Sequence, residues 1–206
     1  SNAALGVLSL STNTDGANNT GVGYAALKLN STGARNTGFG RNALTANTTA
    51  NDNVAVGDLA MNTNTTGATN VAVGAQALEA NTTASDNVAV GYKALEANTT
   101  GASNVAIGTQ ALLLNTTGSQ NVAVGQHALD SNTTGADNVA MGTDALQANT
   151  TGNRNVAIGK DALTTSHNGD DCVAIGKGAL SANTGGENIA VGTSAADANT
   201  SGVRNI

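Results

Sequence analysis

The stretch Asn87-Val88-Ala89-Val90-Gly91-Tyr92-Lys93-Ala94-Leu95-Glu96-Ala97-Asn98-Thr99-Thr100-Gly101-Ala102-Ser103 is one period of a sequence that contains almost nothing else. Asn-Val-Ala-Val-Gly or a close variant opens at Asn53, Asn70, Asn87, Asn104, Asn121, Asn138 and Asn155, each seventeen residues after the last. At Cys172 the opening Asn becomes Cys, looser copies begin at Asn19 and Asn36, and the copy at Asn188 arrives one residue early. A short fixed period that fills a chain is the signature of a solenoid, in which each unit buries its apolar face against its neighbours. Positions below are numbered 1 to 17 from the opening Asn.

Val88 to Val90 carries the β-branched residues of a strand, and Gly91 ends it with a residue that accepts backbone angles others resist. Ala94-Leu95 is a second, shorter apolar patch, and Asn98-Thr99-Thr100-Gly101 is turn chemistry, with Gly101 available for positive φ. One unit therefore reads as strand, turn, short strand, turn. A helix is excluded because the apolar residues do not recur at three-to-four spacing and Gly returns every few residues. The expected fold is all-β, a parallel β-solenoid of about twelve 17-residue coils.

Composition agrees with this. The 206 residues include no Pro, as continuous ladders require, and only two Tyr, one Phe and no Trp, too few for a large globular core. No segment approaches the roughly 20 apolar residues that span a bilayer, so no membrane partner is expected within these residues. Eight Lys plus Arg stand against fourteen Asp plus Glu with no basic run, which argues against nucleic acid as a partner. Cys172 is the only cysteine, so stability comes from stacking rather than an intrachain disulfide framework. Ser1-Asn2-Ala3 reads as a remnant of tag removal, leaving residues 4–206 as a single repeat domain. Asn205-Ile206 starts a unit and stops, so we expect a fragment of a longer fibre protein.

Successive strand side chains point to opposite faces, so Val88 and Val90 share one face and Ala89 takes the other. Both faces are apolar, as in a strand covered on two sides. A seventeen-residue coil has room inside for one of them, and the other needs an outside partner. Identical rods side by side supply it, and a stripe along one side of a narrow rod suits a homotrimer. The stripe comprises Val54, Val56, Val71, Val73, Val88, Val90, Val105, Ile107, Val122, Val124, Val139, Met141, Val156, Ile158, Val173, Ile175, Ile189 and Val191. Sequence alone leaves open whether this column or the Ala column faces the shared axis; the larger side chains favour the former.

The motif Asn-Val-Ala-Ile-Gly-x-x-Ala, as in Asn104 to Ala111 and Asn155 to Ala162, resembles the head repeat of trimeric autotransporter adhesins. That resemblance implies a left-handed parallel β-roll with three chains per head. The longer unit with Asn-Thr-Thr-Gly also resembles repeats of bacteriophage-like tail fibres and of fibres displayed on bacterial surfaces. It implies an extracellular, outer-membrane-displayed or virion-borne fibre that attaches to host, prey or receptor. The usual adhesin head unit is shorter, so the residues around Asn98-Thr99-Thr100-Gly101 enlarge a turn.

Recognition residues tend to sit on loops held by a rigid scaffold, and here the variable positions fall in the turns. Tyr24, Tyr92, Lys93 and His127 are the candidate contacts for a cell-surface glycan or protein receptor, the tyrosines because an aromatic on a polar turn can stack on a sugar. The recurring position-12 Asn, at Asn30, Asn47, Asn64, Asn81, Asn98, Asn115, Asn132, Asn149, Asn183 and Asn199, is expected to bond up the rod as an Asn ladder. No catalytic residue, metal site or cofactor is expected: His127 and His167 fall at different positions on separate coils, and Cys172 has no neighbouring base. Two other classes are weaker. A left-handed β-helix acyltransferase advances by six-residue steps, which this unit lacks. An ice-binding solenoid needs two outward Thr columns separated by an inward residue, whereas Thr99 and Thr100 are adjacent.

Overall fold

The computed structural model describes residues 1–165 and 169–206. Twelve strands of three residues carry the fold: β1 (Ala3–Leu5), β2 (Thr20–Val22), β3 (Thr37–Phe39), β4 (Val54–Val56), β5 (Val71–Val73), β6 (Val88–Val90), β7 (Val105–Ile107), β8 (Val122–Val124), β9 (Val139–Met141), β10 (Val156–Ile158), β11 (Val173–Ile175) and β12 (Ile189–Val191). They form one sheet in sequence order, every pair parallel. Equivalent positions stand opposite each other, as where Val88, Ala89 and Val90 face Val105, Ala106 and Ile107. Eleven strand spacings of about 4.8 Å give a rod roughly 53 Å long. The molecule is an all-β, parallel solenoid with no helix among the described residues.

The second strand expected at Ala94-Leu95 is not there. Tyr92 to Ala97 is one continuous turn in which Lys93 and Leu95 both take left-handed φ, 58° and 54°. Alternating handedness at positions 7 and 9 folds the chain too tightly for a strand yet leaves amides free for other coils: Lys93 N–H donates to Ala75 C=O and Leu95 N–H to Ala111 C=O. Those inter-coil bonds offset the cost of placing non-glycine residues at positive φ.

Positive φ at Gly101 is also corrected. The left-handed residue of that turn is Ser103, two residues later, with φ 60°. Ala50 and Ala84 hold the position-15 site in their own coils, so its glycines are not required for their angles. Gly91 does use its freedom: φ is 136°, and a Cβ there would overlap the Gly108 carbonyl.

Inside the coil, one half is apolar and the other amide. Ala89, Ala94 and Leu95 are fully buried and stack on Ala106, Ala111 and Leu112 of the next coil. Opposite them, Asn87 and Asn98 are equally buried. The strand therefore turns its Ala inward, and the Val column faces out.

The short unit is absorbed where the strands require it. Cys172 to Asn188 lacks one residue, yet Val173, Ala174 and Ile175 pair in register with Ile189, Ala190 and Val191. The deletion lies just after Asn183, whose Nδ2 donates to Gly185 O two residues on, where Asn98 reaches Gly101 O three residues on. A slip inside the strand would have reversed the facing of every later side chain. The irregular stretch Thr165-Ser166-His167-Asn168-Gly169 just before the short unit reads from sequence as a variant turn, and its residues 166–168 lie outside the described residues.

Candidate functional site: an apolar stripe and its polar rims

Three surfaces run the length of the rod, each set by unit position. The first is the outward face of the strands. Position 2, as at Val88 and Val105, is half-buried, whereas position 4 is more open, with Ile107 and Met141 each 41% exposed and Phe39 55%. Size varies where packing does not constrain it. Position 2 is Val in every unit from Val54 to Val173, while position 4 accepts Phe39, Val, Ile107, Met141, Ile158 and Ile175. The position-4 column is apolar throughout, with Val22, Val56, Val90 and Val124 half-buried and the rest exposed, and an apolar column of this length is rare on a monomer's surface.

The second surface is the turn after the strand. Tyr24 and Tyr92 are half-exposed, four coils or about 19 Å apart, so they are not brought together. Tyr92 does have company: Lys93 Nζ lies 5.7 Å from its ring centroid and 3.0 Å from Glu96 Oε1. His127 sits two coils further on, with Nδ1 3.3 Å from Asp130 Oδ2. Burial pushes the Asp130 carboxyl above its ordinary range, partly countered by His127. No pocket is present among the described residues.

The third is position 17, an exposed column of charge. Arg35 clamps Asp52 one coil on, Nε to Oδ1 at 2.5 Å and Nη2 to Oδ2 at 2.8 Å. Arg154 holds Asp171 likewise at 2.7 and 2.8 Å, and Arg204 holds Glu187 at 2.7 Å. These contacts draw the Asp52, Asp171 and Glu187 carboxyls below their ordinary values.

The interior amides make two columns, one of them not foreseen from sequence. At position 12, Nδ2 of Asn98 donates to Oδ1 of Asn81 at 3.2 Å, and Asn115 to Asn98 at 2.8 Å. This run extends from Asn13 to Asn149 and resumes between Asn183 and Asn199. At position 1, the backbone N–H of Asn104 donates to Asn87 Oδ1 at 2.9 Å. Both columns converge on one acceptor, since Asn87 and Asn98 each donate Nδ2 to Gly101 O, at 3.1 and 2.9 Å. The two ladders of a coil are thereby clipped together across its polar half. The recurrence of the opening Asn in every unit but the one at Cys172 was the available signal, masked by its place beside the strand.

Cys172 stands in that column, fully buried, with its thiol 3.3 Å from Gly185 O. Burial pushes the thiol up, away from reactivity. Among the described residues no group of three or more His, Cys, Asp or Glu gathers as a metal site. Thr99 Oγ1 donates to Thr116 O at 3.0 Å, a bond repeated up the rod, whereas Thr100 is exposed. No protein-family model matches the chain, and no curated protein matches it.

Proposed function

We propose that this rod is a segment of a homotrimeric fibre, three left-handed β-rolls running parallel with their strand faces together. The fibre is displayed on a cell surface or a virion and serves as adhesive head or shaft for host, prey or receptor. The observation that carries the reading is the exposed side of the position-4 column, Val73, Ile107, Met141, Ile158 and Ile175 among others, on a strand whose opposite face is already filled by Ala. A symmetric bundle of identical rods removes that column from water with no second protein. The resemblance of the repeat to adhesin heads and tail fibres supports the same assignment.

On the assembled rod, the turns bearing Tyr24, Tyr92, Lys93 and His127 remain outside the seam and are the surface offered to a glycan or protein receptor. A glycan and host-protein array probed with the trimer tests this. Binding that falls at least about tenfold in Tyr92→Ala supports the reading, since stacking aromatics dominate such contacts. Binding unchanged by Tyr24→Ala and Tyr92→Ala together would place recognition elsewhere and leave this segment a shaft.

A further inference from the structure

Positions 13 to 16 carry no charge in any of the eight units between Ser31 and Asn153, while positions 6, 7, 10 and 17 of the same coils hold charges of both signs. Position 14 is an exposed Thr in all eight, from Thr32 to Thr151. From Thr32 through Thr134 its Oγ1 makes no hydrogen bond among the described residues. Position 13 contrasts with it, since Thr99 Oγ1 and its equivalents donate to the next coil. Packing within the chain therefore accounts for the Thr at position 13 and not for the one at position 14.

Position 16, half-buried at the surface of the same turn, alternates from coil to coil. Ala34, Ala68, Ala102 and Ala136 interleave with Asn51, Ser85, Ser119 and Asn153. Each polar member accepts the backbone N–H of the Ala one coil before it, Ala34 to Asn51 Oδ1 at 2.7 Å, Ala68 to Ser85 Oγ at 3.0 Å, Ala102 to Ser119 Oγ at 3.0 Å and Ala136 to Asn153 Oδ1 at 2.9 Å. The position-16 N–H thus points up the rod at the next position-16 side chain. At Asn51, Ser85 and Ser119 that side chain is the methyl of an Ala, and among the described residues these three N–H groups have no acceptor. Stacking does not force the alternation: Asn153 accepts from Ala136 and itself donates N–H to Asp170 Oδ1 at 2.7 Å.

Resting on the receptor-attachment reading above, we propose that this face binds an uncharged β-1,4-linked polysaccharide laid along the rod, one sugar to each coil. Sugar oxygens meet the position-14 hydroxyls and, in alternate coils, the open N–H groups of Asn51, Ser85 and Ser119. The surface is separate from the turns that bear Tyr24 and Tyr92.

Charge and period select this partner. A face that loses its water on binding favours neutral groups, because an unpaired charge there costs affinity. A β-1,4-linked chain is extended and advances per sugar by a step close to the strand spacing of about 4.8 Å. Each ring is turned over relative to the last, so the same edge returns only at every second sugar. Thr in every coil matches the single step, and an open donor in every second coil, about 9.6 Å apart, matches the pair. An unbonded amide at the surface is a donor placed for a ligand hydroxyl or carbonyl. An α-linked helical chain lacks this two-sugar repeat, and a lattice of ordered water gives the alternation no purpose.

Calorimetric titration of the full chain with cello- and chito-oligosaccharides tests this, the two series sharing the linkage and differing in the 2-substituent. Affinity for at least one series should rise with length up to eight sugars, one for each coil of the face. Oligosaccharides of amylose, which are α-linked, and of alginate, which are charged, should not bind. Ala68→Ser, Ala102→Ser and Ala136→Ser together give each open N–H an acceptor within the chain. That variant should melt no lower than wild type and bind at least about tenfold more weakly. Tyr24→Ala combined with Tyr92→Ala should bind these sugars as wild type does. A wild type that binds neither series, one that partitions into ice instead, or a triple variant that binds undiminished would overturn the inference. Binding lost in the Tyr pair and kept in the triple variant would overturn it while leaving the receptor reading standing. A wild type that binds neither these sugars nor anything on the glycan and protein array would remove both.

Discussion

At the residue scale, the buried amides do what a larger core would do elsewhere. Asn98 donates to both Asn81 Oδ1 and Gly101 O and accepts from Asn115. Asn98→Ala leaves buried partners unsatisfied and should cost about 2–3 kcal/mol, while exposed Thr100→Ala should stay within about 0.5. Thermal unfolding of the two variants checks the contrast. Cys172 interrupts the other column while its backbone N–H still donates to Asn155 Oδ1. Cys172→Asn restores a donor toward Gly185 O and should stabilise by about 1 kcal/mol. The position-12 Asn stood out in sequence because it recurs at the head of the Asn-Thr-Thr turn. The opening Asn did not, because nothing about a strand's first residue indicates that its amide points inward.

Charge acts at this scale too. Asp52, Asp171 and Glu187 have depressed folded pKa values because of Arg35, Arg154 and Arg204. Their stabilisation is present in full above the unfolded values of 3.8 and 4.5 and is lost as pH falls through the folded ones. The melting temperature should therefore decline modestly below pH 4, the pairs being exposed, and Arg154→Gln should flatten part of that decline. Asp130 opposes the trend, since its raised pKa means that burial costs stability once the group ionises.

At the scale of elements, the strand was legible and the turn was not. Val-Ala-Val-Gly states its length, its faces and its end. Tyr92 to Ala97 holds Ala and Leu, which read as a strand fragment, yet its backbone alternates handedness at Lys93 and Leu95. Nothing in those residue types announces positive φ. The angles are imposed by inter-coil hydrogen bonds that exist only once coils stack. Glycine positions separate the two situations. Gly91→Ala puts a side chain at φ 136° against the Gly108 carbonyl and should cost about 2 kcal/mol or more. Gly101→Ala should cost under about 1, because Ala50 and Ala84 already fill that position. Chemical denaturation of the two variants distinguishes them. Glu187 shows the same economy, taking the left-handed angle of position 17 even in the shortened unit.

At the scale of the whole molecule, period and patterning carry the account from sequence to rod, and from rod to bundle. The alternation of Val and Ala gave two apolar faces without saying which was inside. The interior decides, since a coil that also holds Leu95 and two asparagines has space for Ala89 and none for Val. What covers the Val face is the central claim, and sedimentation of wild type beside Val90→Asp combined with Ile107→Asp tests it most directly. Both positions face out, so the isolated coil tolerates Asp there, whereas a dry seam would bury each charge three times at several kcal/mol per ion. The account predicts a wild-type species of about three times the 20.0 kDa chain mass at micromolar concentration, and a folded monomer for the double variant. A wild-type monomer, or a trimer that survives both substitutions, would contradict it.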